Sequence, residues 1–123
     1  MKITVIIAML VVCFSSTQIR AEGFKDEVIR DHIKAHLMQA RICYENSLKR
    51  NPTQSGELKY QWIVGKSGKV EEIKILGSES YLKYKDIRLI RCIASRIMTW
   101  KFPKHQKNGG VEVTFPFGFS PDP

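Results

Sequence analysis

The residues of this 123-residue chain best equipped for chemistry are three cysteines, Cys13, Cys43 and Cys92, and three histidines, His32, His36 and His105. His32 and His36 stand four apart, the spacing at which two imidazoles on one helix face can share a metal ion. The rest of such a site is missing, since Ile33 and not a Glu follows His32 and His105 is remote in sequence. Solvent-facing helix histidines are therefore expected, with no metal and no other cofactor. Cys43 and Cys92 are not in a CxxC arrangement, so thiol redox catalysis has no motif to support it. Ser and Asp residues are present, but none sits in a recognisable nucleophile elbow. No catalytic residues are expected, and the chemistry left to the cysteines is a structural bridge.

The compartment follows from the first residues. Lys2 supplies a positive start, Ile3 to Phe14 form an apolar run of 12 residues, and a polar stretch leads to Ala21. That run is too short to span a bilayer, which takes about 20 apolar residues, and reads as a cleavable export signal over residues 1–21. Ile19 is bulkier than usual for its place two residues before Ala21. Acylation of Cys13 is the competing reading, and it would leave a lipid-anchored protein; it requires bulky Val12 where such sites carry a small residue. With residues 1–21 removed, one domain spans 22–123 and two cysteines remain. An even count in an oxidising compartment reads as a disulfide, Cys43–Cys92, with two buried free thiols as the alternative.

Several elements must position that bridge. Ile29, Ile33, Leu37, Ala40, Tyr44 and Leu48 recur at helical spacing between Phe24 and Arg50, and Asn51-Pro52 ends the helix. Leu58, Tyr60, Trp62 and Val64 alternate with mostly polar residues along a strand that opens at Gly56 and turns at Gly65 to Gly68. The return strand, Lys69 to Leu76, falls out of phase at Val70, so a bulge near Glu71 and Glu72 or a short strand is expected. A second helix runs from about Tyr84 to Thr99 with Ile87, Ile90, Ile93, Ala94 and Ile97 as its stripe. Val111, Val113, Phe115, Phe117 and Phe119 mark the last strand. Trp62 and Trp100 are expected in the core.

The order helix, strand, strand, helix, strand, joined by a right-handed crossover, predicts an α+β fold. Two helices cover one face of a three-stranded sheet of spatial order second, first, third, and the two cysteines meet between the helices. The last strand is then an edge, which is where Pro116 is tolerable, because proline donates no ladder hydrogen bond. A free edge can take an extended partner segment by strand addition. Val111, Glu112, Val113, Thr114 and Phe115 are the candidate docking edge, with Lys104, His105 and Lys107 in the preceding loop favouring acidic partners. A solvated edge, or one paired with itself in a homodimer, is the alternative.

Cys43-Tyr44-Glu45, Asn51-Pro52, Gly56, Gly68-Lys69-Val70, Cys92, Trp100-Lys101-Phe102-Pro103 and Val113-Thr114-Phe115-Pro116-Phe117 together resemble the AgmX/PglI C-terminal domain family, a branch of the TonB C-terminal-domain superfamily. The resemblance runs from about Ile29 to Phe119. It implies a non-catalytic periplasmic module that binds protein partners of the cell envelope, in proteins associated with gliding motility and envelope energy transduction. A TonB-type transducer carries an uncleaved membrane helix and a long proline-rich spacer, whereas here a short leader runs almost directly into the domain. A free-standing binding module fits better than a transducer.

The whole chain carries 20 Lys and Arg against 12 Asp and Glu. The basic residues are spread over every element and do not form one block, which speaks against nucleic acid as a partner. Envelope or membrane proteins are the expected partners, with anionic envelope surfaces as a second electrostatic match. The competing functional class is a secreted enzyme or inhibitor of an unrecognised type.

Overall fold

The computed structural model describes residues 26–121, and the export leader, its cleavage after Ala21 and the Cys13 alternative lie outside them. Helix α1 spans Asp26–Arg50 and strand β1 Gly56–Val64. Strand β2 spans Val70–Ile75, and a single 3-10 turn, Gly77–Glu79, leads to the two-residue strand β3, Tyr81–Leu82. Helix α2 spans Ile87–Ile97 and strand β4 Val111–Phe119. β1 is central: β4 pairs along its whole length on one side, while β2 and β3 share the other, all antiparallel. The main strands thus stand in the expected order, and the fold is the expected α+β arrangement of two helices and an antiparallel sheet.

Strict alternation of burial along β1 puts Leu58, Tyr60, Trp62 and Val64 into the core against Ile29, Ile33, Leu89, Ile93 and Ile97 of the two helices. The phase slip at Val70 has its expected cause. Ile63 pairs with Glu72 and Val64 with Val70, so Glu71 is the extra residue of a bulge. Cys43 and Cys92 form a disulfide between α1 and α2, with their Cα atoms 5.8 Å apart. Trp62 and Trp100 are both buried, edge to face at 6.0 Å, and the Trp100 Nε1–H donates to Gln39 Oε1 at 2.9 Å.

The glycine and the tryptophan motifs meet in space. Gly68 O accepts the Phe102 N–H at 2.8 Å, and Lys69 and Lys101 form an isolated bridge. Gly68 has φ +93°, and a Cβ there would run into the Phe102 carbonyl, so glycine is required on both counts.

Three expectations need correction. Helix α2 begins at Ile87, not Tyr84, because Asp86 is its cap: Oδ1 accepts the N–H groups of Arg88 and Leu89. Leu37 and Ile87, placed in the core stripes, are exposed, while Leu89 and Ser47 are buried in their stead. Leu37 lines a groove that opens between α1 and β4, and Ile87 is the first residue of α2. The 3-10 turn and β3 between β2 and α2 are not among the expected elements.

Candidate functional site

The candidate docking edge is β4, and the hydrogen bonds of its neighbour define what it presents. In β1, Lys59 O accepts the Leu76 N–H at 2.8 Å and the Lys59 N–H donates to Ser80 Oγ at 2.9 Å, so both main-chain groups of Lys59 are used on the β2 and β3 side. Lys59 pairs with Pro116. That pair is consequently a non-bonded one, and the main-chain groups of Pro116 face away from β1. Proline at this position costs the sheet no ladder bond. The register is unbroken from Gly56↔Phe119 to Val64↔Val111, so the same parity holds for Glu112, Thr114 and Gly118.

Sequence reasoning treated Val111 to Phe115 as one edge; the structure divides it. Val111, Val113 and Phe115 bond inward to β1. Only Glu112 and Thr114 turn their N–H and C=O to the free side, where no strand of the described residues pairs with them. Pro116 offers a carbonyl but no donor and so limits an added ladder. Gln61 Nε2–H donates to Thr114 Oγ1 at 3.2 Å, which holds that side chain on the outer face of the sheet.

Beside this edge, on the helical face, runs a groove of about 860 Å³ between α1 and β4. One wall is Leu37, Met38, Arg41, Tyr44 and Leu48, and the other is β4 from Phe115 to Phe119. The sequence motifs missed it, since it exists only once α1 is laid beside β4. Its floor is aromatic: Tyr44 stacks on Phe119 at 4.8 Å and Phe115 meets Phe117 at 5.0 Å. Tyr44 is held from below, its hydroxyl donating to Gln54 O at 2.7 Å. Arg41 and Glu45 pair at the rim at 3.2 Å. Met38 is 63% exposed, an apolar side chain of a kind that recognition surfaces use for its adaptability.

The loop before β4 differs from expectation. Lys104 is exposed, as a partner contact would need, and Lys107 is half-buried. His105 is buried: its Nε2–H donates to Val64 O at 2.9 Å and its Nδ1 accepts the Lys107 N–H at 3.0 Å. Both ring nitrogens serve the loop itself, so His105 anchors the loop and is not presented to a partner. His32 and His36 likewise turn inward. Each Nδ1 bonds a carbonyl one turn back, of Val28 and His32, and the rings pack on Phe102 and Trp100. No group of three or more His, Cys, Asp or Glu among the described residues could hold a metal ion.

Opposite the groove, α1 and α2 are joined by a buried polar junction. Asp86 Oδ2 accepts from Ser47 Oγ at 2.6 Å and from Arg50 Nη2 at 2.8 Å. Burial pushes the Asp86 carboxyl up, but the hydrogen bonds from Ser47, Arg50 and the Leu89 N–H outweigh it and hold the group below the usual carboxylate range. Burial also pushes the Tyr60 phenol well up; its hydroxyl donates to Ile90 O at 2.8 Å.

Fold and edge together define a two-layer α+β domain with an unpaired sheet edge beside an apolar groove. Among solved structures the chain is similar to the solution structure of the Helicobacter pylori TonB C-terminal domain, with 17% identity and a TM-score of 0.47 over 82% of this chain and 87% of that one. No protein-family model matches the chain, and no curated protein does. Among the described residues no helix is long and apolar enough to cross a membrane.

Proposed function

We propose that this chain is an exported, non-catalytic interaction module of the cell envelope that takes an extended segment of a partner protein along β4. The observation that carries the reading is the free edge at Glu112 and Thr114 with the aromatic groove beside it. Strand addition supplies main-chain hydrogen bonds to the edge, and alternate side chains of the added segment drop into the groove between Leu37 and Phe119. The motif resemblance to the AgmX/PglI and TonB C-terminal domains agrees with such a role. Motility, transport and envelope-assembly complexes are the settings it suggests, and the exposed Lys104 in the loop that precedes β4 favours an acidic segment.

Thr114→Pro tests the edge directly. The Thr114 N–H points to the free side, so proline removes one docking donor and no bond to β1, as Pro116 already does two residues on. Thr114→Ala controls for the lost Gln61 bond. Photo-crosslinking from position 112 in the native host is expected to yield one dominant envelope partner that Thr114→Pro abolishes and Thr114→Ala retains. An undiminished crosslink in Thr114→Pro would rule out strand addition, and a crosslink between two copies of the chain would replace docking by homodimerisation.

A further inference from the structure

The bases of this chain are spread over its elements, but its acids are not. Between Lys83 and Lys107 stand five lysines and three arginines against one acidic residue, Asp86. Asp86 is buried, and its charge is spent on Arg50 of α1 and on the cap of α2. From residue 26 to 82 the balance is nine basic to eight acidic. Nearly all of the domain's uncompensated positive charge therefore belongs to α2 and its flanking segments.

Helix α2 buries Leu89, Ile93 and Ile97 and turns the opposite arc to solvent. At 100° per residue, Ile87, Arg91 and Met98 fall within about 40° of one another, with Arg88 on the adjoining line. Ile87 is 49% and Met98 41% exposed. This outward stripe thus combines long cations with bulky apolar side chains that the domain leaves half exposed. Neither the groove nor the smaller cavity on the outer face of the sheet is lined by these residues.

We propose that this outward face of α2, centred on Arg88 and Arg91 and edged by Ile87 and Met98, is a second binding site whose partner is an anionic lipid surface. Exposed cations edged by apolar side chains match a surface of diffuse negative charge over an apolar layer, while an acidic protein would require fixed positions for its carboxylates. The two apolar side chains are long enough to enter the boundary between headgroups and acyl chains, as on interfacial helices. The site lies across the helical layer from β4, so lipid and partner segment do not compete, and this inference stands or falls independently of docking at the edge.

The test is sedimentation of the protein, purified after export, with phosphatidylcholine vesicles and with vesicles of phosphatidylcholine mixed with phosphatidylglycerol. Binding is expected only to the anionic vesicles and is expected to fall with added salt. Arg88→Gln/Arg91→Gln is expected to weaken it roughly 30-fold, whereas Lys34→Gln/Lys49→Gln, an equal charge change on α1, weakens it less than about threefold because screening confines the effect to nearby charges. Ile87→Ser/Met98→Ser is expected to cost roughly tenfold while leaving the salt dependence in place. All six side chains are exposed, so thermal melts of the variants should overlay that of the parent. Equal losses from the two charge variants would overturn the assignment in favour of net charge alone. Equal binding to neutral vesicles would also overturn it, as would capture by polyglutamate with no binding to anionic vesicles, which would make the partner an acidic polypeptide.

Discussion

The two flanks of this domain present different physics to a partner. On the β4 flank the free groups are main-chain donors and acceptors at Glu112 and Thr114, fixed in direction by the sheet and set beside an aromatic groove. On the α2 flank they are the charges of the exposed Arg88 and Arg91 side chains. The first suits a segment of defined conformation and should respond to salt only weakly, through Lys104. The second suits an extended charged surface and should be sensitive to it. A small domain that carries both can hold a partner segment while resting on a surface, provided the flanks keep their relation to each other.

That relation depends on the α1–α2 seam, and breaking the seam should have the largest effect. The Cys43–Cys92 bridge closes a loop with a sequence separation of 49. By the chain-entropy argument such a loop is worth on the order of 4 kcal/mol, a large part of the stability of a domain this size. Cys43→Ser/Cys92→Ser should therefore lower Tm by roughly 15 to 30 °C in a calorimetric scan. If the two helices are rigidly joined by packing alone, the loss would be a few degrees, and the flanks would owe their alignment to the core.

The polar junction is the next contributor. Asp86→Ala removes the α2 cap and leaves Ser47 and Arg50 without their acceptor, for an expected loss of about 3 kcal/mol in urea unfolding. The junction also fixes the pH dependence. Because the folded Asp86 carboxyl titrates below its ordinary value, the unfolded chain binds more protons in the acid range. Stability is present above about pH 4 and is lost as pH falls through the folded value. Tyr60 has the opposite sign: its folded phenol keeps its proton above about pH 10 while the unfolded one loses it, so stability declines with rising pH there. The acid limb of a Tm profile is expected to be reduced in Asp86→Asn and its alkaline limb in Tyr60→Phe.

Much of this architecture could be read from residue order. The alternation of Leu58, Tyr60, Trp62 and Val64 specifies the central strand, the out-of-phase Val70 announces the bulge, and Pro116 marks the edge. The paired cysteines placed the helices side by side. What escaped was tertiary in origin. Periodicity registers that Leu37 and Ile87 are apolar, but it cannot tell which apolar positions the rest of the domain will cover. Asp86 carried a readable cap signal, yet its acceptor role for Ser47 and Arg50 spans 39 and 36 positions. His105 looked like a loop cation because nothing nearby in sequence foretells a bond to Val64 O. The groove was illegible for the same reason, since its walls come from opposite ends of the domain.

Leu37 and Met38 separate the two flanks with the smallest structural effect. Both line the groove, both are exposed, and neither contributes to the buried core, so Leu37→Glu and Met38→Glu should each change stability by less than about 0.5 kcal/mol. Their effect on recognition should be large and confined to one side. A carboxylate in the groove has to be desolvated against Phe115 and Phe119 when an apolar side chain of the added segment arrives, which disfavours docking without touching the main-chain edge. Crosslinking from position 112 should fall while vesicle binding through α2 stays at the parental level. If both variants retain the crosslink, the groove is a passive consequence of laying α1 beside β4, and recognition on that flank is by main chain alone. If vesicle binding falls as well, α1 takes part in the lipid-facing surface, and the two flanks are one continuous site.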